Sequence, residues 1–292
     1  RLGLVAIGGM GLTLFSFDIF MNGQTFPSSH QIGTYLSPGI FFLQWENIRA
    51  AVDLLMIGLF GGIYIVPLYT LIQQKAPKEM GSRVIASNNI VNAIFMVSAA
   101  VFAIVLFKVG LNILQIFLVV SLMNLCVTIL FLVKLPRYFY HICFTLMMKT
   151  FYRFKVTGKE NLPTDGPVLV ISNHVSFIDP MIVCSGMNRP PRYVMDQDYY
   201  DMKILKWFFT SSKSIPITPK KICPDTLERA MDSIVEGLKN GDMITLFPEG
   251  FITKNGEMIP FKDGFERIAK RVENVTVIPV AIKGMWGSWF SR

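Results

Sequence analysis

The sequence predicts two structural classes in one chain: an all-α membrane part of four transmembrane helices, followed by an α/β domain with a mostly parallel sheet. Three observations predict this. The 292 residues are 52% hydrophobic and only 16% charged, whereas soluble domains carry nearer a quarter of charged residues. The apolar runs long enough to cross a hydrocarbon core of roughly 30 Å all lie before residue 135. After residue 156, short apolar stretches alternate with helical patterns, which is the punctuation of an α/β fold.

The four spans are expected at residues 2–21, 50–72, 90–107 and 111–133. The loop over residues 22–47 contains no Lys or Arg, whereas residues 73–83 hold Lys75, Lys78 and Arg83. Bases return after the fourth span with Lys134, Arg137, Lys149, Arg153 and Lys155. Positive residues stay on the cytoplasmic side of a bilayer, so the second half of the chain is expected in the cytoplasm. Polar residues within or beside the spans (Asp18, Ser87, Asn88, Asn89 and Asn92) are costly in hydrocarbon unless they meet a cavity or a partner. Asp18, Asn88 and Asn92 are candidates for a transport path. The alternative is that Asp18 lies near a helix end and the asparagines hydrogen-bond between helices.

Residues 135–155 mix Tyr138, Phe139, Tyr140, Phe144, Phe151 and Tyr152 with Lys149 and Arg153. That composition suits an interfacial linker helix lying in the membrane surface, or a buried connecting helix. Either would hold the following domain, residues 156–292, close to lipid. Within that domain, strands are expected at 168–172, 193–195, 215–218, 243–247 and 275–282. The clearest helix is 226–240, with Leu227, Ala230, Met231, Ile234, Val235 and Leu238 on one face, Asp225 and Glu228 as a capping box, and Gly241 as the stop. Ligands of such folds bind in loops at strand ends.

Net charge is +8, with seven basic against four acidic residues up to Lys134 and twenty-one against sixteen after it. A basic domain tethered at a bilayer favours anionic headgroups or phosphate-bearing substrates. Nucleic acid is disfavoured as a partner, since aromatic and basic residues do not interleave in an RNA-binding pattern and no DNA-binding motif is present. Cys126, Cys143, Cys184 and Cys223 are far apart, with no C-x-x-C pair or histidine at ligand spacing, so neither a metal nor a disulfide framework is expected. The chain opens inside an apolar span without an initiator Met, which reads as a piece of a longer protein, and its α/β domain reads as cut soon after the last strand.

The chemistry gathers at two strand ends. The strand 168–172 runs into Asn173-His174-Val175-Ser176-Phe177-Ile178-Asp179-Pro180. A carboxylate five residues beyond an imidazole, across a turn, can hold that ring in one tautomer. The other ring nitrogen is then free to take a proton from a hydroxyl. The competing reading of Asp179 is a helix N-cap before Pro180. The second element, Phe247-Pro248-Glu249-Gly250, closes another apolar strand; average residue usage gives such a tetrapeptide a chance of order 10⁻⁵ per position. Cys184 is a poor nucleophile candidate, because it falls in the apolar helix after Pro180.

Together these motifs resemble the PlsC-type glycerolipid acyltransferases, whose signature is N-H-x4-D followed by F-P-E-G. The likeness runs from about residue 151 to 292, with Ile215-Pro216-Ile217 and Val277-Ile278-Pro279-Val280 in the places of two further family motifs. Within the family, Phe154-Lys155-Val156-Thr157-Gly158, Pro216-Ile217-Thr218-Pro219 and Ser288-Trp289-Phe290-Ser291-Arg292 look most like members that acylate 2-acylglycerophosphoethanolamine. The resemblance implies acyl transfer from acyl carrier protein or coenzyme A to a lysophospholipid in the membrane, with lysophosphatidylethanolamine as the expected acceptor. Lysophosphatidic acid is the alternative acceptor. By that analogy His174 is the base and Asp179 its orienting partner, and Asn173, Glu249 and Gly250 shape the acceptor site. A thioester donor is already activated, so no resident cofactor, metal or covalent nucleophile is implied.

Many family members follow F-P-E-G with an arginine, and here Phe251-Ile252-Thr253 follows; the second motif also lacks its usual arginine. Lys220, Lys221 or Lys262 is the candidate replacement as a phosphate-binding charge, against the plainer reading of a solvated surface lysine. The spans are similar to the last four helices of a major facilitator lysophospholipid transporter, through Phe15-Ser16-Phe17-Asp18 and the 75–83 loop. This likeness implies a multi-pass protein of the bacterial inner membrane that couples transport to re-esterification. The contrary expectation is a lipid transporter whose attached domain binds lipid without turnover.

Overall fold

The structure is a computed structural model that describes residues 2–25, 37–218 and 224–291. It divides into two compact units, one up to Leu135 and one from Pro136.

The first unit is helical: α1 (Gly3–Gly23), a single turn α2 (Pro38–Phe41), α3 (Trp45–Lys75), α4 (Gly81–Lys108) and α5 (Ile113–Lys134). Four of these, all but α2, are long and apolar enough to cross a membrane. Helix α4 begins nine residues before the expected span, because Gly81 to Asn89 continue the helix in spite of their polarity. Helix α1 is the packed one, lying against α3 and α5. Its glycines permit the approach: a Cβ at Gly8 would come 2.6 Å from the backbone nitrogen of Tyr64, while Gly9 and Gly11 sit directly against Thr128 and Phe60. Small residues allow such contact where lipid supplies no hydrophobic driving force between helices. Helix α4 fully buries none of its residues, and most of its apolar side chains are exposed.

The second unit begins with α6 (Pro136–Phe151) and continues through β1 (Val168–Ser172), α7 (Asp179–Gly186), β2 (Arg192–Asp196), α8 (Gln197–Tyr200), α9 (Lys206–Ser211), β3 (Ile215–Ile217), α10 (Pro224–Lys239), β4 (Met243–Leu246), α11 (Gly264–Ala269) and β5 (Thr276–Val280). The five strands form one sheet in the order β3-β2-β4-β1-β5. Every pairing is parallel, with Ile171 opposite Leu246 and Ile278 opposite Val170. The α/β expectation and the parallel sheet are both met.

Strand β1 explains why the sheet is covered on both faces. Leu169 packs with Ile215, Ile234, Leu238, Ile244 and Leu246 in a core closed by α10 and α11. Val168 and Val170 point the other way, against Val183, Met187 and Met243. Alternate β1 side chains therefore enter opposite cores, as buried parallel strands require. Burying each such side chain contributes about 1.5–3 kcal/mol of transfer free energy.

Helix α10 starts at Pro224, two residues before the expected boundary, so Asp225 falls in its first turn. The Glu228 carboxylate, expected in a capping box, instead takes a hydrogen bond from Arg267 Nη2 at 2.9 Å. Helix α6 packs on α7, and it also meets α9, where Phe208 lies edge-on to Phe144 and Tyr140 at 5.7 and 4.7 Å. Arg137 and Arg192 both reach Asp242, at 3.1 and 3.0 Å, and tie α6 and β2 to the start of β4.

Candidate active site

Because β1 and β4 are parallel neighbours, the loops that leave their C-terminal ends lie side by side. One carries His174 and the other Phe247 to Gly250. The imidazole of His174 stacks on the Phe247 ring, with centroids 4.2 Å apart and planes 22° from parallel.

Asp179 is the first residue of α7, and its side chain makes no helix cap; Ile178 holds the N-cap position. The carboxylate turns back toward the loop instead. Its Oδ2 lies 2.9 Å from His174 Nδ1 and accepts the backbone N–H groups of Val175 at 2.6 Å and Ser176 at 2.8 Å. The Asp179 side chain is fully buried while that of His174 keeps 18% of its surface accessible. A buried carboxylate on Nδ1 orients the ring and leaves Nε2 as the nitrogen able to exchange a proton with a substrate.

Glu249 is buried at 1% exposure, and both of its oxygens are engaged by the protein itself. Oε1 accepts the His174 N–H at 3.0 Å and Oε2 the Ile259 N–H at 3.1 Å. Asn173 is used likewise: its amide donates to the Ile282 carbonyl at 3.0 Å and its oxygen accepts the Ile282 N–H at 2.7 Å. Sequence reasoning put both residues on the acceptor; in the fold, their polar atoms fasten the two loops and the end of β5 around His174.

Gly250 has a φ of 76°, in the left-handed region where a side chain is strained. A Cβ there would fall on the Lys262 ammonium, so this lysine reaches across the glycine. Its Nζ lies 4.8 Å from the centre of the Phe251 ring, and its backbone N–H is held by the Pro248 carbonyl at 3.0 Å. Of the candidate phosphate-binding cations, Lys262 is thus at the Phe-Pro-Glu-Gly turn, whereas Lys220 and Lys221 fall outside the described residues.

Several groups within the quoted motifs take supporting roles that the sequence did not assign. The Thr253 N–H donates to the His174 carbonyl at 3.0 Å, and Thr253 is fully buried. The Phe290 carbonyl accepts from Phe177 N–H and from Ser176 Oγ, both at 3.1 Å. Two clefts of the second unit lie elsewhere. One of about 430 Å³ is lined by Phe265, Ala269 and Val277, and one of about 500 Å³ by Arg192, Lys213 and Asp242. Neither is lined by His174. Cys184 is buried in α7, and burial pushes its thiol up to about 12.

In the first unit, Asp18 accepts a bidentate contact along one edge of the Arg49 guanidinium, from Nε to Oδ2 at 2.9 Å and from Nη2 to Oδ1. Asp53, one turn beyond Arg49 and buried at 2%, belongs to the same neighbourhood and was missed by sequence reasoning. Asn92 donates to Tyr69 Oη at 2.7 Å, and Asn88 Nδ2 is buried without a hydrogen-bond partner among the described residues. Arg49 and Tyr69 are twenty residues apart on α3, about 30 Å along a helix. The structure therefore sets Asp18 and the asparagines at opposite ends of the helical unit rather than in one cluster.

Residues 153–283 match the model of the family described as Acyltransferase. A chloroplastic 1-acyl-sn-glycerol-3-phosphate acyltransferase of Arabidopsis thaliana is 29% identical over 135 residues, which cover 46% of this chain and 37% of that protein. The 1-acyl-sn-glycerol-3-phosphate acyltransferase of Bacillus subtilis is 25% identical over 133 residues, 44% of this chain and 62% of that protein. A crystal structure of the 1-acyl-sn-glycerophosphate acyltransferase PlsC from Thermotoga maritima aligns over 53% of this chain and 64% of that one, at 24% identity and a TM-score of 0.43. The chain spans under two fifths of the length of the plant relative. The family match begins past the last of the four long helices, so the expected link to a major facilitator transporter gains no support from it. Over the residues that match this family model, the second unit is similar to enzymes named as 1-acyl-sn-glycerol-3-phosphate acyltransferases.

Proposed function

We propose that this chain transfers a fatty acyl group from a thioester donor, acyl carrier protein or coenzyme A, to the free hydroxyl of lysophosphatidic acid at a membrane surface. The observation that carries the reading is the His174 Nδ1 to Asp179 Oδ2 contact of 2.9 Å at the end of β1, beside the Phe247 to Gly250 turn. With Nδ1 held by the carboxylate, Nε2 accepts the proton of the acceptor hydroxyl as its oxygen attacks the thioester carbonyl. The tetrahedral adduct then collapses, the thiolate leaves, and the imidazolium returns the proton to it. Glu249 acts by holding the His174 backbone, and Asn173 by holding the loop at Ile282.

Two considerations favour lysophosphatidic acid over the expected lysophosphatidylethanolamine. The relatives described above are named for 1-acyl-sn-glycerol-3-phosphate. Lys262, poised at Gly250, offers a point charge that a phosphate monoester with close to two negative charges uses better than a singly charged diester. Transport coupled to acylation is not part of this reading.

The test uses membranes containing the full chain, with acyl-coenzyme A and acyl-acyl carrier protein as donors and both acceptors in competition. Acylated lysophosphatidic acid should dominate and disappear in His174→Ala. Undiminished product in that variant removes the base, and preference for the ethanolamine acceptor removes the substrate assignment.

A further inference from the structure

The connection between β2 and β3 carries an exposed apolar surface. Along α8 and α9, Tyr199, Met202, Ile204, Leu205 and Trp207 are exposed, Ile204 at 90% and Trp207 at 72%. The segment is nonetheless folded. Leu205 and Lys206 N–H groups both return to the Met202 carbonyl, at 2.9 and 2.8 Å, and Lys206 Nζ pairs with Asp201 at 2.8 Å. Its inner side docks on α6, where Phe208 meets Tyr140 and Phe144, and Tyr140 Oη lies 2.9 Å from Ser211 Oγ. One face is therefore fixed to α6 while the apolar opposite face is presented outward.

Three features indicate what meets that face. An indole, a tyrosine and aliphatic side chains interleaved with Lys203 and Lys206 match the composition that settles at the boundary between headgroups and acyl chains. Helix α6 begins at Pro136, two residues after the end of α5, a 22-residue helix of membrane-crossing length. Tyr140, whose ring is 6.2 Å from that of Trp207, is thus only six residues along the chain from Lys134, the last residue of that apolar helix. Finally, residues 135–157 contain Arg137, Lys149, Arg153 and Lys155 and no acidic residue, which suits anionic headgroups.

We infer that the α8–α9 segment, from Tyr199 to Trp207, seats in the headgroup region of the bilayer beside α6, as a membrane contact of the acyltransferase domain separate from the four long helices. Helix α8 follows directly from the C-terminal end of β2, the same end of the sheet at which β1 delivers His174. The contact would hold that edge toward lipid, so that an acceptor need not leave the bilayer to be acylated. Only this last consequence rests on the proposed acyl transfer.

The test is local, because the long helices would hold the chain in vesicles in any case. Trp45, Trp286 and Trp289 are replaced by Phe in the full chain, leaving Trp207 as the only indole. The chain is reconstituted in phosphatidylcholine and phosphatidylglycerol vesicles containing lipids brominated near the headgroup end of the acyl chain. Trp207 emission should fall on bromination and resist aqueous iodide, and should do so equally in a His174→Ala background. Emission insensitive to bromination overturns the inference, whether iodide reaches the indole, as for a solvated surface, or not, as for a protein partner. In a second arm, Ile204→Asp, at a position too exposed to matter to the core, should raise KM for lysophosphatidic acid in vesicles and leave turnover of a short-chain, water-soluble analogue unchanged. Equal KM values in vesicles for this variant and wild type count against the inference. Bromine quenching without any acyl transfer by the wild type would instead refute the proposed function alone.

Discussion

A single oxygen of Asp179 lies 2.9 Å from His174 Nδ1 and also accepts the N–H groups of Val175 and Ser176. Ring and turn are thereby fixed by the same atom. The arrangement separates two roles that a carboxylate in this position can play. Neutralising it should affect proton transfer more than loop conformation, provided an oxygen remains to take the backbone groups.

Asp179→Asn keeps such an oxygen. We expect kcat for acyl transfer to fall by about 10²–10⁴-fold, the range of a lost general base, with KM for the acceptor changed little. Steady-state kinetics alongside circular dichroism check this; an unfolded variant, or one with wild-type kcat, contradicts it.

Gly250 and Lys262 make a second coupled pair. In Gly250→Ala the left-handed backbone should cost about 1–2 kcal/mol, and the new Cβ displaces the ammonium. Lys262→Met removes the charge without the backbone strain. Both variants should raise KM for lysophosphatidic acid by about tenfold, the equivalent of one lost charged hydrogen bond. Only the glycine variant should lose thermal stability, and a melting curve read beside the acceptor titration distinguishes them.

Asn173→Ala should show the reverse pattern. Its amide and oxygen are both taken by Ile282, so removal strands a backbone donor and acceptor and should destabilise the domain by about 1–3 kcal/mol. Denaturant titration measures the loss, and KM for the acceptor should remain close to wild type. A large KM change with unaltered stability would return Asn173 to the substrate.

His141 gives a pH dependence. Burial in α6 holds its imidazole below the ordinary histidine range. In the interval between that lowered value and the unfolded value near 6.5, the unfolded chain binds the proton and the folded chain does not. Stability is therefore full above about pH 6.5 and declines as pH falls through that interval. Denaturation midpoints between pH 5 and 7.5 should slope for wild type and flatten at this step in His141→Leu.

Cys184, with its thiol pushed up to about 12 by burial, should resist iodoacetamide at pH 8 in the folded chain and react after denaturation. Mass spectrometry of the labelled peptide checks this, and Cys184→Ala should retain acyl transfer. Loss of activity in that variant without loss of fold would reopen a covalent route.

The helical spans, the five strands and the two motifs were legible because each depends on local chemistry. Runs such as Ile113 to Val133 state their solvent through composition, and Val168 to Ser172 announces a buried strand through β-branched, apolar residues. Boundaries drifted where polarity and helix propensity disagree, as at Gly81 to Asn89. Asp179 could be read as an N-cap or as a partner of His174, since both readings use the same residue beside Pro180; only the direction of its carboxylate separates them.

By itself the sequence determined which residues could do chemistry and that four stretches would form helices long and apolar enough to cross a membrane, because side-chain type and periodicity fix solvation and local backbone preference. Tertiary structure decided the rest. The order β4-β1-β5 sets His174 against Phe247 and closes Ile282 onto Asn173, and the 262 position reaches Gly250 through a turn whose path no spacing rule contains. It also placed Asp18 and Asn92 at opposite ends of one helical unit. Which residues meet across a sheet depends on strand order, and strand order is settled by how two cores are filled at once, a property of the packed chain and not of any segment of it.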